Sequence, residues 1–314
     1  MKALQQFGDQ VDLVASRLSS KARPSRPVSS QVRRLIRNWS PPAWLTLVQR
    51  ALDHVRPAPW EFLASGWPAD VQTRGWNVAG IAKLQKEHWP AYAEMLKGTG
   101  PIVVNHEGLS KNISNDLATH NTLISFAYVL ALSARYADRV SILDWGGGIG
   151  HYYLLSKAVL PGAEIDYHCK DVSLLCRAGE EVLPQVHFLE TSEECFARRY
   201  DLVLASSSLW YEADWRSVLD KLIAAADPYL YVSRMIFVET ADSYVAIQRP
   251  WAMGYRTEYM CWILNEEDFI EHVVNQDMVL IREFLLGEAP HIHRAREQGK
   301  LKGFLFCKRA QQSP

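Results

Sequence analysis

The chain has no uninterrupted apolar run near the roughly 18–20 residues that span a bilayer, and residues 1–30 show no signal-peptide apolar core. A soluble, cytoplasmic protein is expected. Cysteine is scarce: Cys169, Cys176, Cys195, Cys261 and Cys307 form an odd set without C-x-x-C spacing, which excludes a disulfide framework or a cysteine zinc site and fits a reduced compartment. Bulk charge is small too. A formal net charge of −1 over 314 residues gives no general attraction to nucleic acid. The basic residues are unevenly spread, with ten Lys/Arg against three Asp/Glu in residues 1–60. Arg33, Arg34 and Arg37 beside Leu35, Ile36 and Trp39 read as a solvated helix flank, with a weak membrane-surface contact as the alternative.

What is present is an ordinary core-forming composition, 48% apolar and 22% charged, long enough for one enlarged domain or two. Six of the eleven tryptophans fall between Trp39 and Trp89. That density suits the packing of a helical cap, with a sugar-stacking face as the other reading. Helical periodicity at 81–97 and 121–135 supports a helical N-terminal cap region over residues 1–120 and a second domain over 121–314.

The second domain is organised around residues 140–150. An apolar run at 140–143 predicts a buried strand, and the glycines that follow permit a tight turn and close backbone approach to a ligand. A dinucleotide G-x-G-x-x-G pattern starting at Gly146 fails, because its last glycine position is His151. Read as D-x-G-x-G-x-G, the stretch takes in Asp144, Gly146, Gly148 and Gly150, and resembles motif I of class I S-adenosylmethionine (SAM)-dependent methyltransferases. In that reading Asp144 suits the methionine ammonium and the glycines admit the methionine and ribose portion.

The downstream order agrees. A helix at 151–160 and an alternating strand at 163–170 lead to Asp171, where a carboxylate at a strand end would meet the cofactor ribose, or cap the helix that follows. A strand at 186–190 brings Thr191 to the adenine position, where it reads equally as a helix start. A strand at 200–206 then delivers Ser206 through Glu212 to the place beside the transferring methyl group. A helix at 215–226 and a strand at 229–233 follow. Strands at 279–286 and 301–309, joined by a loop, predict an antiparallel hairpin. The expected fold is α/β, a Rossmann-like seven-stranded sheet with an antiparallel last strand.

From roughly Asn121 onward the sequence resembles a family of bacterial SAM-dependent methyltransferases found among surface-polysaccharide biosynthesis genes. The resemblance rests on 143–148, on 165–168 leading to Asp171, on 204–211, and on Arg234, Gln248 and Tyr259. It implies SAM as cofactor, methyl transfer as activity and a small-molecule or glycan acceptor, with O-methylation of a saccharide or other hydroxyl compound favoured. Candidate bases for such a reaction are His106, Glu107 and Glu212, with His151 as a helix cap or cofactor-site residue instead. Tyr211, Arg234, Gln248 and Tyr259 are candidate acceptor contacts. The aromatic stretch 237–262 is read as an acceptor lid, and His291 and His293 in the hairpin loop as further acceptor contacts. No metal is expected, because no carboxylate cluster accompanies those histidines. The competing readings are a Rossmann-type nucleotide-sugar oxidoreductase and a catalytically silent methyltransferase-like scaffold.

Overall fold

The computed structural model describes residues 57–69, 75–102, 117–251, 255 and 257–309. Within the compact unit Ala58–Pro314, the chain order is β1 (Trp60–Phe62), α1 (Ala79–Lys97), α2 (Leu117–Ser133), β2 (Arg139–Trp145), α3 (His151–Val159), β3 (Glu164–Lys170), α4 (Ser173–Val182) and β4 (His187–Leu189). The second half runs α5 (Ser192–Cys195), β5 (Tyr200–Ser206), a 3-10 turn (Leu209–Tyr211), α6 (Trp215–Ala225), β6 (Ala226–Val238), β7 (Tyr244–Gln248), β8 (Tyr259–Asn265), α7 (Glu266–Val274), β9 (Met278–Glu288) and β10 (Lys300–Lys308).

The core sheet has the order β4-β3-β2-β5-β6-β10-β9. β2 through β6 pair in parallel, and β10 pairs antiparallel with both β6 and β9. This is the class I methyltransferase Rossmann-like fold, with the reversed last strand where the sequence predicts it. The strand order reverses beside β2: β3 lies on one side and β5 on the other. A crevice opens at the carboxyl ends of strands at such a point.

Both faces of the sheet are covered, because successive strand residues point to opposite sides. Ile142 and Leu204 join Phe126, Val129 and Leu130 of α2 on one face. Leu143, Val203 and Val232 meet Leu219 and Leu222 of α6 and Phe269 of α7 on the other. Asp214 starts α6 by accepting from the Ser217 N–H at 3.1 Å, and Asn265 starts α7 by accepting from Asp268 N–H at 3.0 Å. Each satisfies one of the donors that a helix N-terminus leaves without an intrahelical partner.

The fold departs from the sequence expectation in two places. The strand predicted at 229–233 runs over thirteen residues as β6, whose far end, Phe237 and Val238, pairs in parallel with Leu264 and Asn265 of β8. Within the aromatic stretch 237–262, β7 and the start of β8 build a β-ribbon: β8 pairs antiparallel with β7, and β7 with β1 from the N-terminal region. The N-terminal region, expected to be helical, thus contributes a strand as well as α1. Short segments without clean alternation carry little strand signal, which is why β1 and β7 are invisible in sequence.

Helix α4 sits close against β4 because Gly179 has no side chain; a Cβ there would overlap the Phe188 ring. In an open helix Gly→Ala stabilises by up to about 1 kcal/mol. Here Gly179→Ala is expected to lower the thermal midpoint, with an overpacking cost of about 1–3 kcal/mol, and adding Phe188→Leu should restore it. A midpoint that rises in the single variant contradicts this packing.

Candidate functional site

The glycine bend is held from two sides. Gly146 and Gly148 take φ of 76° and 63°, left-handed values that a side chain makes costly. A Cβ on Gly146 would overlap Ser208, whose hydroxyl donates to the Trp145 carbonyl at 2.5 Å. On the other side, the Gly148 N–H donates to Asp171 Oδ2 at 2.7 Å, while Asp171 Oδ1 accepts from the Val172 N–H at 2.7 Å. The bend therefore lies clamped between the end of β3 and the turn after β5.

Against it lies a cavity of about 300 Å³. Its floor is Trp145, Gly146, Gly148, Asp171 and the Ser206–Ser208 turn; Val172 and Leu175 add an apolar side. Its opposite wall comes from the N-terminal region and the ribbon: Trp67, Trp76, Asn77, Gln85, Tyr259 and Met260, joined by Tyr211 and Glu212. The aromatic wall is tightly built. Trp76 stacks on Tyr259 at 4.5 Å between centroids, with 10° between planes, and meets Tyr211 edge-on at 5.5 Å. The Tyr211 hydroxyl donates to Gln248 Oε1 at 2.6 Å, which fixes that ring from behind.

The charge in the site is mainly negative. Asp171 is buried at 9% exposure, and burial raises its carboxyl above the usual range despite the two backbone N–H groups that favour its charged form. Asp144 is buried at 1%; burial pushes its carboxyl up to about 7, the Asp171 charge adds to the rise, and a hydrogen bond from Tyr167 at 2.5 Å opposes it. Glu212, half-buried on the wall, donates its N–H to the Leu209 carbonyl at 3.1 Å, while its carboxylate makes no ion pair among the described residues. Lys170 is the one Lys or Arg among the described lining residues, and its ammonium sits over the Trp145 ring at 4.4 Å.

Of the residues singled out from sequence, the structure brings Gly146, Gly148, Asp171, Ser206, Tyr211, Glu212 and Tyr259 to the cavity. Asp144 is not on its wall: the carboxylate lies beneath Gly147, where a Cβ would overlap it. Gly150 caps α3 at φ 91° and packs on Leu183. Thr191 starts α5, accepting from the Glu194 N–H and donating to the Glu194 carboxylate at 2.8 Å, so the helix-start reading describes its contacts. Arg234 stands beside the Tyr152 hydroxyl, which also bonds Ser206 at 2.8 Å. Gln248 lies one layer behind Tyr211. His291 and His293 stay away from the cavity, because the hairpin loop folds onto β1: the His293 N–H donates to the Trp60 carbonyl at 2.9 Å and its carbonyl accepts from Phe62. The Glu297 carboxylate pins the same loop by accepting from the Thr240 hydroxyl at 2.7 Å and from the backbone of 239–241, and these bonds, the hydroxyl's first, hold it down at about 2. His151 is buried between Trp89 and Tyr92 rather than facing the cavity. His106 and Glu107 lie outside the described residues.

Sequence reasoning missed Trp67, Trp76, Gln85 and Lys170. The tryptophan cluster was visible, but nothing local shows that two of its rings turn toward the glycine bend. A possible cation cage elsewhere is already filled. Asp166, His168 and His187 bring ligand atoms within 4.8 Å of one another, but the Arg198 guanidinium bonds Asp166 at 2.9 Å and His168 at 3.0 Å.

No family model matches the chain, and no curated protein matches it. Among solved structures it is similar to the magnesium protoporphyrin IX methyltransferase of Synechocystis with bound S-adenosylhomocysteine (SAH), at 13% identity and TM-score 0.42, over 73% of this chain and 98% of that one. It is similar also to the 1,6-didemethyltoxoflavin-N1-methyltransferase of Burkholderia thailandensis, bound to its substrate and SAH, at 11% identity and TM-score 0.42, over 77% and 98% of the two chains. A third is a SAM-dependent methyltransferase of Clostridium acetobutylicum, at 10% identity and TM-score 0.40, over 60% and 91%.

Proposed function

We propose that the cavity binds SAM and that the chain is a SAM-dependent methyltransferase acting on a small hydroxyl-bearing acceptor, saccharides included. The observation that carries this reading is the Asp171 carboxylate, at the end of β3, facing a cavity whose floor is a side-chain-free glycine bend. Carboxylate oxygens have lone-pair sites beyond those used by Gly148 and Val172, so Asp171 can still accept from two ribose hydroxyls. The residues present fit the cofactor. Gly146 and Gly148 leave open the space a Cβ would fill, Val172 and Leu175 offer an apolar side for a base, and the buried acids favour a cationic ligand.

Bound there, SAM supplies an electrophilic methyl group. The chain's own work is alignment, exclusion of water and removal of a proton. The Trp76 and Tyr259 rings, with Tyr211, close the acceptor side of the cavity and suit the apolar face of a sugar ring. Glu212 is the proposed base: it lines the cavity, and its carboxylate makes no ion pair among the described residues. A hydroxyl held within about 2.6–3.2 Å of its carboxylate would lose its proton there as attack develops.

Titration calorimetry with SAH tests the cofactor assignment. Asp171→Asn is expected to weaken SAH at least about tenfold, the loss of one to two charge-assisted hydrogen bonds, while the ligand-free protein stays folded. Unchanged affinity removes the assignment. Labelled SAM incubated with fractions of the source lysate should then mark the acceptor, and Glu212→Gln should lower that transfer about 10²–10⁴-fold with SAH affinity retained. Equal transfer by this variant excludes Glu212 as base.

The raised Asp144 carboxyl sets a pH dependence. Its proton is held up to about pH 7 in the ligand-free protein, and a cationic ligand end favours its charged form across the bend. Binding below pH 7 must therefore displace that proton. SAH affinity should rise with pH through about 7, by at most about tenfold per unit, and Asp144→Asn should flatten the rise. A flat wild-type profile from about pH 6 to 8 contradicts the coupling.

A further inference from the structure

Helix α1 buries Ile81, Ala82, Gln85 and Tyr92. Ile81 and Ala82 pack against Ile149, Leu175 and Ala178, apolar groups of the glycine bend and α4. Gln85 breaks this apolar stripe with an amide only 1% exposed, and its Oε1 has no hydrogen-bond partner among the described residues. Long polar side chains are seldom buried so fully without a partner, since an unsatisfied buried acceptor loses its hydration for nothing in return. The amide is also a wall of the cavity, and its Oε1 lies 3.1 Å from where a Cβ on Gly148 would stand. The bend cannot supply the missing donor there, because the Gly148 N–H is already given to Asp171.

The donor must then come from what fills the cavity, and the surrounding charge says which kind. Asp171 accepts from the Gly148 N–H, and Asp144 lies under Gly147. Lys170, the cation on the wall, is held over Trp145. With Glu212 on the same wall, the acids outnumber Lys170, the one Lys or Arg among the described lining residues, and favour a positively charged donor over a carboxylate.

We infer that the Gln85 carbonyl accepts a hydrogen bond from the α-ammonium at the amino-acid end of the cofactor, making α1 of the N-terminal region a positioning element of the cofactor site. The inference rests on the SAM reading above. It moves the direct partner of the ammonium from the glycine strand, where Asp144 stays below the bend, to a helix that precedes the Rossmann-like core. Cofactor binding and the docking of α1 on that core are then coupled.

Calorimetry with two ligands tests it: SAH, and 5′-methylthioadenosine, which keeps the adenosine and thioether but has no amino-acid end. Gln85→Leu is expected to weaken SAH about 10- to 100-fold and to leave methylthioadenosine within about twofold. The thermal midpoint of this ligand-free variant should hold or rise, because an unsatisfied polar group has been replaced by an apolar one. Gln85→Glu should retain or tighten SAH, since a carboxylate attracts an ammonium. Equal losses for both ligands, a fall in the ligand-free midpoint, or a Gln85→Glu variant as weak toward SAH as Gln85→Leu each overturns the role of Gln85. Wild-type protein that binds neither ligand overturns the SAM reading together with it, whereas wild-type binding with the Gln85 arms reversed overturns this inference alone.

Discussion

Backbone hydrogen bonding, from the Gly146 N–H to the Lys170 carbonyl at 2.7 Å and from the Gly148 N–H to the Asp171 carboxylate at 2.7 Å, ties the glycine bend after β2 to the end of β3, and the rest of the site depends on it. It does so with a group that stays available: Asp171 lines the cavity while two backbone N–H groups support its charge. The opposite clamp is steric. Gly146 abuts Ser208, and Ser208 is held to the Trp145 carbonyl, so the bend cannot move toward β5. A bend fixed on both flanks and carrying no side chain presents its backbone as a surface, which a loop free to relax would not do.

The core sheet alone would leave this surface open. It is closed by elements from outside the seven strands: α1, the segment around Trp76, and the ribbon that continues β6 beyond the end of β5. The long β6 matters here, because its far end carries β8, and β8 carries Tyr259 and Met260 to the cavity wall. The Trp76–Tyr259 stack then joins the N-terminal region to the ribbon over the bend. Roof and floor thus come from segments far apart in sequence, and both must fold before the cavity exists.

The electrostatics follow from this enclosure. Carboxylates beside water would attract cations only weakly; at 1% and 9% exposure, burial raises the proton affinity of Asp144 and Asp171, with Asp171 adding to the rise at Asp144 and Glu212 to that at Asp171, while Lys170 opposes it. Gln85, a neutral amide brought in by the roof, meets that field without neutralising it. Such a site discriminates by charge as well as by shape.

The core was legible in the sequence because its signals are local. The apolar run before the glycines, the alternation up to Lys170 and the two terminal strands specify elements within a few residues of where they form, and strand-to-strand spacing places Asp171 and Ser206 at the same edge of the sheet. Steric freedom of glycine likewise needs no partner to be read. By contrast, β1 and β7 are short, and each exists because distant strands supply its hydrogen-bond ladder, β7 for β1 and β8 with β1 for β7. Whether Gln85 faces solvent or the bend, whether Trp76 packs inward or stacks over the cavity, and whether Asp144 reaches a ligand or lies under Gly147 are settled by packing across long sequence separations. The amino-acid sequence by itself determined the order of strands and helices and the chemistry at their ends, since backbone preference and hydrophobic period act over short range. Only the tertiary structure decided which side chains enclose the site, since burial belongs to the assembled molecule and not to any one segment.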